Sequence, residues 1–319
     1  MRHLIFISLI LVTTTGVGQI TSFNQYNACS GDINPAYLAC ISSGQASLLA
    51  RDQAPGYRFG LVCGEANVND LFRTINSSIG LSALYVNNPQ GGFNNTSYGF
   101  QYAYRVIFLE TYYLCLGASI NLNTTEIDVN NYHYLYEPKA SYNDLTPNTL
   151  NNQAVQGSFG LVLVRPYQVE YEYMGLSIRN VALSDVSSTH GFSLQQGKTF
   201  SIQALRRVDL TRYSLLLPFV CYEYTGGTTY GTNDSAKTTL QKAYSYLLVE
   251  GNIFSNKHYL FGLGYKFFSG NYSTLVYRVA YFTGKYTFGY SFDTNPFIQN
   301  DVIKFCPSNE FYIQVKFKN

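Results

Sequence analysis

The sequence has no tryptophan, two methionines and four histidines, and Asp, Glu, Lys and Arg together make up only 13% of it. That charged share is about half of what is usual. A formal net charge of +2 with no basic cluster gives no footprint for nucleic acid. His3 lies in the leader, His133 and His190 in stretches read as loops, and His258 at a turn after Asn256-Lys257. No two histidines have metal-ligand spacing, so no metal site is expected. There is no Gly-x-Ser-x-Gly elbow and no phosphate-binding glycine loop. The chain is therefore read as a non-enzyme that needs no cofactor, and a Ser/His/Asp group assembled across strands is a remote reading. Beyond the leader, polar residues interrupt every apolar stretch, which excludes membrane-spanning helices. No Pro-rich or charge-rich linker and no internal repeat divides the chain.

Aromatic residues are abundant, with 30 Tyr and 22 Phe in 319 residues. So many rings and so few charges require either a large core or a bilayer to face. The N-terminus points to export. Arg2-His3, then Leu4 to Val12, then small and polar residues to Gln19, follow the plan of a signal peptide. The apolar run is too short to span a bilayer as a helix. Residues 1–19 are read as a signal peptide cleaved near Gln19, 20–41 as a periplasmic or lumenal segment, and 42–319 as one domain.

That domain reads as strand after strand. Tyr98, Phe100, Tyr102, Tyr104 and Val106 alternate with Gly99, Gln101, Ala103 and Arg105. The same rhythm recurs over 112–122, 286–293 and 311–318. A period of two puts one set on each face of a sheet. Three features favour a membrane barrel over a soluble sandwich. Segments such as 96–108 and 111–124 exceed the five or six residues of an ordinary strand. Tyrosines (Tyr98, Tyr112, Tyr213, Tyr244, Tyr259 and Tyr286) sit at the ends of apolar faces, as interfacial rings do. The connections also sort by length. Leu109-Glu110, Pro166 to Val169, Arg207 to Leu210, Ser255-Asn256 and Thr283-Gly284 are short, with 66–74 an exception. The connections at 125–156, 180–197, 225–241 and 295–308 are long. Outer-membrane barrels have short periplasmic turns, long outer loops and an even strand count. The expected fold is an all-β transmembrane antiparallel β-barrel of about 14 strands, within 12–16, with both termini periplasmic.

Several side chains are candidates for function. Arg58, Arg105, Lys266, Arg278 and Asp293 are expected on the lumen face or near strand ends, either as a pore lining or as a paired, solvated network. Tyr132, His133, Tyr134 and Tyr136 lie in the longest loop, which could bind a client protein or fold inward as a plug. Cys29 and Cys40 are the candidate disulfide of an exported chain. Cys63, Cys115 and Cys221 fall in strands and are read as small hydrophobes.

Phe23-Asn24-Gln25-Tyr26 followed by Asn34-Pro35-Ala36-Tyr37 resembles the start of the PorP/SprF family, outer-membrane proteins of the Bacteroidetes type IX secretion system. Tyr98 to Arg105, Tyr173 to Asn180, Lys257 to Lys266 and Phe288 to Asp293 resemble strands of that family. At Arg51-Asp52-Gln53-Ala54 the tryptophan common in the family is missing, and six cysteines are more than the resemblance leads one to expect. The resemblance implies a non-enzymatic part in secretion or gliding. Its partners would be outer-membrane lipid, periplasmic secretion components and a secreted protein with a C-terminal sorting domain. Asn34-Pro35 fixes a turn, and Asn34, Pro35, Ala36 and Tyr37 are expected to dock to a periplasmic partner. The rival reading is an outer-membrane channel for small or hydrophobic solutes, like the FadL fatty-acid transporters.

Overall fold

The structure, a computed structural model, describes residues 30–40, 44–53, 57–67, 76–88, 93–109, 111–128, 149–166, 171–188, 193–231, 238–241, 243–256, 258–269, 272–299 and 302–317. A short helical turn α1 (Ser30–Ile33) and a 3-10 turn (Pro35–Cys40) precede the strands. The first seven strands are β1 (Gln45–Gln53), β2 (Tyr57–Asn67), β3 (Ser77–Asn88), β4 (Phe93–Leu109), β5 (Tyr112–Asp128), β6 (Thr149–Pro166) and β7 (Tyr171–Ser188). Then come β8 (Ser193–Gln195), β9 (Thr199–Leu205), β10 (Val208–Thr211), β11 (Ser214–Thr225), β12 (Thr228–Gly231) and β13 (Thr238–Gln241). The last five are β14 (Tyr244–Ser255), β15 (Tyr259–Phe268), β16 (Tyr272–Phe282), β17 (Tyr286–Gln299) and β18 (Val302–Lys316).

Each strand of the main sheet pairs antiparallel with its neighbour. The sheet closes because β1 pairs with both β2 and β18 while β11 pairs with both β9 and β14. β9 and β10 are one wall strand interrupted at Arg206-Arg207, so the barrel has 14 strands. The interruption has a chemical cause. Arg206 N donates to Pro218 O at 3.0 Å, and Pro218 has no N–H to complete the reciprocal bond. The turn expected at Arg207 to Leu210 is therefore strand β10, and the chain reverses at Arg212-Tyr213. At another turn, Gly284 adopts φ +81°, a conformation that favours glycine.

Strands β4 to β7 run 17 or 18 residues, well beyond the nine to eleven or so that cross a bilayer. Their extensions are rich in Asn, Thr and Ser. Where both faces meet water the hydrophobic alternation fades while the hydrogen-bonded ladder continues. For this reason the stretch 295–308, expected to be a long loop, is instead a paired hairpin of β17 and β18 as far as Gln299 opposite Val302. β8, β12 and β13 form a small separate sheet in the connections flanking β9–β11.

The faces are sorted as the alternation predicts. Phe100, Tyr102, Leu116, Ile120, Phe288 and Phe311 are exposed on the outside, between 44% and 57%. A continuous apolar belt of this kind suits lipid, not water. Tyr98, Tyr213, Tyr259 and Tyr286 point outward as expected, but Tyr244 does not: it is 5% exposed and turned into the lumen. No helix among the described residues is long and apolar enough to cross a membrane.

Candidate functional site

The lumen is filled. Inward side chains all round the wall are buried, among them Ala103, Cys115, Val162, Phe219, Leu248 and Val276, none more than 1% exposed. The N-terminal turns α1 and Pro35–Cys40 lie inside the barrel, with Pro35, Ala36, Tyr37, Leu38 and Ala39 all buried.

The local sequence builds this plug. Asn34 Oδ1 accepts a hydrogen bond from Ala36 N at 3.0 Å, and Asn34 O accepts one from Tyr37 N at 3.0 Å. Asn34 thus caps the 3-10 turn, and Pro35 takes the first position, where its missing N–H leaves nothing unpaired. Asn34 Nδ2 donates to Leu176 O at 3.1 Å, and Ser177 Oγ donates to Ile33 O at 3.1 Å. Tyr37 Oη donates to Gln203 Oε1 at 2.9 Å while its ring meets Tyr173 edge-on at 4.8 Å. At the other end Gly31 N donates to Glu65 Oε1 at 3.0 Å, and Gln45 Nε2 donates to the second oxygen of Glu65. Asp32 is half-buried. Burial pushes its carboxyl above the usual value, against the pull of the Arg179 guanidinium.

The wall leaves room for the plug where it carries glycine. A Cβ on Gly117 would strike the Pro35–Ala36 backbone, one on Gly160 would strike the Asn34 side chain, and one on Gly175 would come within 2.8 Å of Tyr37 Oη. The motif expected to dock to a periplasmic partner is packed into the lumen: Asn34, Pro35, Ala36 and Tyr37 are all buried. The reason is physical, since an apolar ring and two small residues find burial on the glycine bed that water would not give them.

The opposite wall fills the lumen with its own charges. Lys266 Nζ lies 2.9 Å from Asp293 Oδ2, and Ser308 Oγ donates to the other Asp293 oxygen. Arg278 Nη2 is 3.1 Å from Glu250 Oε2, and Arg179 Nη2, on β7 of the plug-bed side, is 2.6 Å from Glu223 Oε2 of β11. Lys266, Arg278 and Asp293 are thus lumenal and ion-paired. Arg105 is on the inward register near the end of β4, its guanidinium 4.9 Å from the Tyr113 ring. Arg58 departs from expectation: it is exposed on the outward face of β2, because the inward set there is Phe59, Leu61, Cys63 and Glu65. Glu250, Glu223, Arg179 and Glu65 were not singled out from sequence, although each shares the parity of inward neighbours on its own strand.

The Cys29–Cys40 disulfide is not formed. Cys40 is a free thiol whose Sγ lies 3.8 Å from Cys115 Sγ, and Cys221 is also free. Cys63, expected to be a small hydrophobe like Cys115 and Cys221, is instead disulfide-bonded. Cys29 and the candidate client residues Tyr132, His133, Tyr134 and Tyr136 lie outside the described residues. Among the described residues no group of three or more His, Cys, Asp or Glu could hold a metal ion.

Comparison with solved structures agrees on the barrel. The chain is similar to the CymD monoaromatic hydrocarbon channel at a TM-score of 0.55 and 11% identity, over 95% of this chain and 96% of that one. It is similar to the Ralstonia pickettii toluene transporter TbuX at 0.55 and 10%, over 95% and 97%. It is similar to a Pseudomonas aeruginosa FadL homologue at 0.53 and 9%, over 96% and 99%. At such identities the likeness is one of fold, that of an outer-membrane β-barrel. A search of curated proteins finds no significant match. Residues 16–309 match the family described as type IX secretion system membrane protein PorP/SprF, and because this match covers nearly the whole chain, the protein belongs to the PorP/SprF family of the type IX secretion system.

Proposed function

We propose that this barrel serves type IX secretion as a closed platform in the outer membrane, holding a secreted surface protein or helping to export and attach it, and not as a solute pore. The observation that carries this reading is the filled lumen. A water-filled channel leaves its inward side chains accessible, whereas here Ala36, Leu38, Cys115, Lys266 and Asp293 are each no more than 1% exposed. A barrel occupied in this way has its ends and loops to offer to partners. The cleaved chain would start near Gln19. Its short connections and both termini would face the periplasm, where secretion components meet it. The long connections would face outward, with Tyr132, His133, Tyr134 and Tyr136 and the β8–β12–β13 sheet meeting a client with a C-terminal sorting domain. The family and fold are those of a secretion or transport barrel, and no catalytic step is assigned to it.

The rival reading is a channel for small or hydrophobic solutes, and the fold likeness to hydrocarbon channels favours it. It requires the plug to move aside. Deleting the protein distinguishes the two. On the secretion reading, one or more surface proteins disappear from the cell surface while uptake of aromatic and fatty-acid solutes is unchanged. Normal surface proteins with impaired uptake would overturn the reading.

A further inference from the structure

The plug is tied down unevenly. Gly31, Ile33, Asn34 and Tyr37 make the directional contacts to Glu65, Ser177, Leu176 and Gln203 described above. Its last residue, Cys40, meets the wall through sulfur: its Sγ faces that of Cys115 at 3.8 Å, on an inward position of β5 that is fully buried. The register sets Cys115 between Arg105 of β4 and Val162 of β6. Two free thiols in van der Waals contact, one on the insert and one on the barrel wall, are placed for a bond. Disulfide formation needs the sulfurs at about 2.0 Å. The chain already carries a disulfide at Cys63, so oxidation is compatible with its fold. Cys221 supplies an internal contrast, since it too is a buried free thiol but lies on β11, four strands round the wall from β5.

We propose that Cys40 and Cys115 form a disulfide latch that fixes the plug to the wall, so that the thiol and disulfide forms are the releasable and locked states of the lumen. The bond forms by thiol–disulfide exchange. The Cys40 thiolate, the half-buried member of the pair, attacks the disulfide of a periplasmic dithiol oxidase to give a mixed disulfide. The Cys115 thiolate, beside the Arg105 guanidinium, then attacks the Cys40 sulfur and releases the oxidase as its dithiol. Two S–H bonds are lost and one S–S bond is made. The two protons and two electrons leave with the reduced oxidase.

The test uses the full chain purified from outer membranes with free thiols alkylated at harvest. Non-reducing peptide mapping should recover the Cys40 and Cys115 peptides joined and lighter by two hydrogens than their sum, with Cys221 alkylated. Because a reductant would also open the Cys63 disulfide, the latch is broken by Cys115→Ser, and by Cys40→Ser should that buried substitution prevent assembly. Backbone hydrogen exchange over 30–40 should then be faster than in the wild type and in Cys221→Ser. Recovery of Cys40 and Cys115 separately alkylated from the wild type would overturn the proposal. So would a joined pair whose loss leaves exchange at 30–40 unchanged.

Discussion

Strands β3 to β7 and strands β14 to β18 face one lumen with opposite kinds of side chain. The first arc offers Gly80, Gly117, Gly160 and Gly175, with Ser119, Ser158 and Ser177 between them, and leaves a bed that the plug occupies. The second offers Glu250, Lys266, Arg278, Asp293 and Glu310, all buried, and fills its side from the wall itself. Where this second arc uses glycine, it makes way for its own charges: a Cβ on Gly262 would meet the side chains of Asn252 and Glu250. One arc is thus shaped for an insert and the other is self-sufficient. Substitutions in the two arcs should fail in different ways.

The largest effect is expected in the charged arc. Lys266→Ala or Asp293→Ala leaves a buried partner uncompensated and should cost about 3–5 kcal/mol of barrel stability, measured by urea unfolding in lipid vesicles. Replacing both, as Lys266→Met with Asp293→Leu, should cost much less. Equal losses from the single and double changes would remove the pairing from the account. Outside, the two arcs should behave alike, because both face lipid. Leu116→Arg in the first and Leu263→Arg in the second should each cost about 2–4 kcal/mol if near the midplane, read as loss of heat-modifiable folded barrel. A much milder effect at one of them would mean that its belt is not in the bilayer.

Smaller effects distinguish the plug bed. Gly117→Ala forces a methyl against plug backbone that cannot yield as a flexible side chain would, and overpacking of this kind costs about 1–3 kcal/mol. Gly251→Ala, where a Cβ meets nothing within 4 Å, is the matched control and should be near neutral. The smallest expected change is Tyr37→Phe. It removes the hydrogen bond to Gln203 and should weaken plug retention by about 0.5–1.5 kcal/mol, seen as faster hydrogen exchange over 30–40.

Alternation made the outward belt legible because lipid-facing positions are apolar and their neighbours are polar or small. Gln101 beside Tyr102 and Ser119 beside Ile120 are sorted by parity alone. The strand count was legible for the same reason. β14 was less so: Tyr246, Leu248 and Phe254 point inward while Leu247, Val249 and Ile253 point outward, so both faces are apolar and Tyr244 carries no sign of its direction. Arg58 was misplaced because an arginine at a strand end is tolerated on either face. The polar extensions of β17 and β18 left no hydrophobic period to follow. The plug was hardest to foresee. Asn34-Pro35 announces a turn, but where the turn sits depends on Gly80, Gly117, Gly160 and Gly175, distant in sequence, that only the closed barrel brings beneath it.

The central claim is that the lumen is closed by residues 30–40 seated on the glycine bed. Ion conductance of the purified protein in planar lipid bilayers tests it most directly. The wild type should show no steady open-pore current, and a variant lacking residues 30–40 but matched in folded barrel should show discrete conducting steps. Steady conductance by the wild type, unaltered by the deletion, would contradict the account.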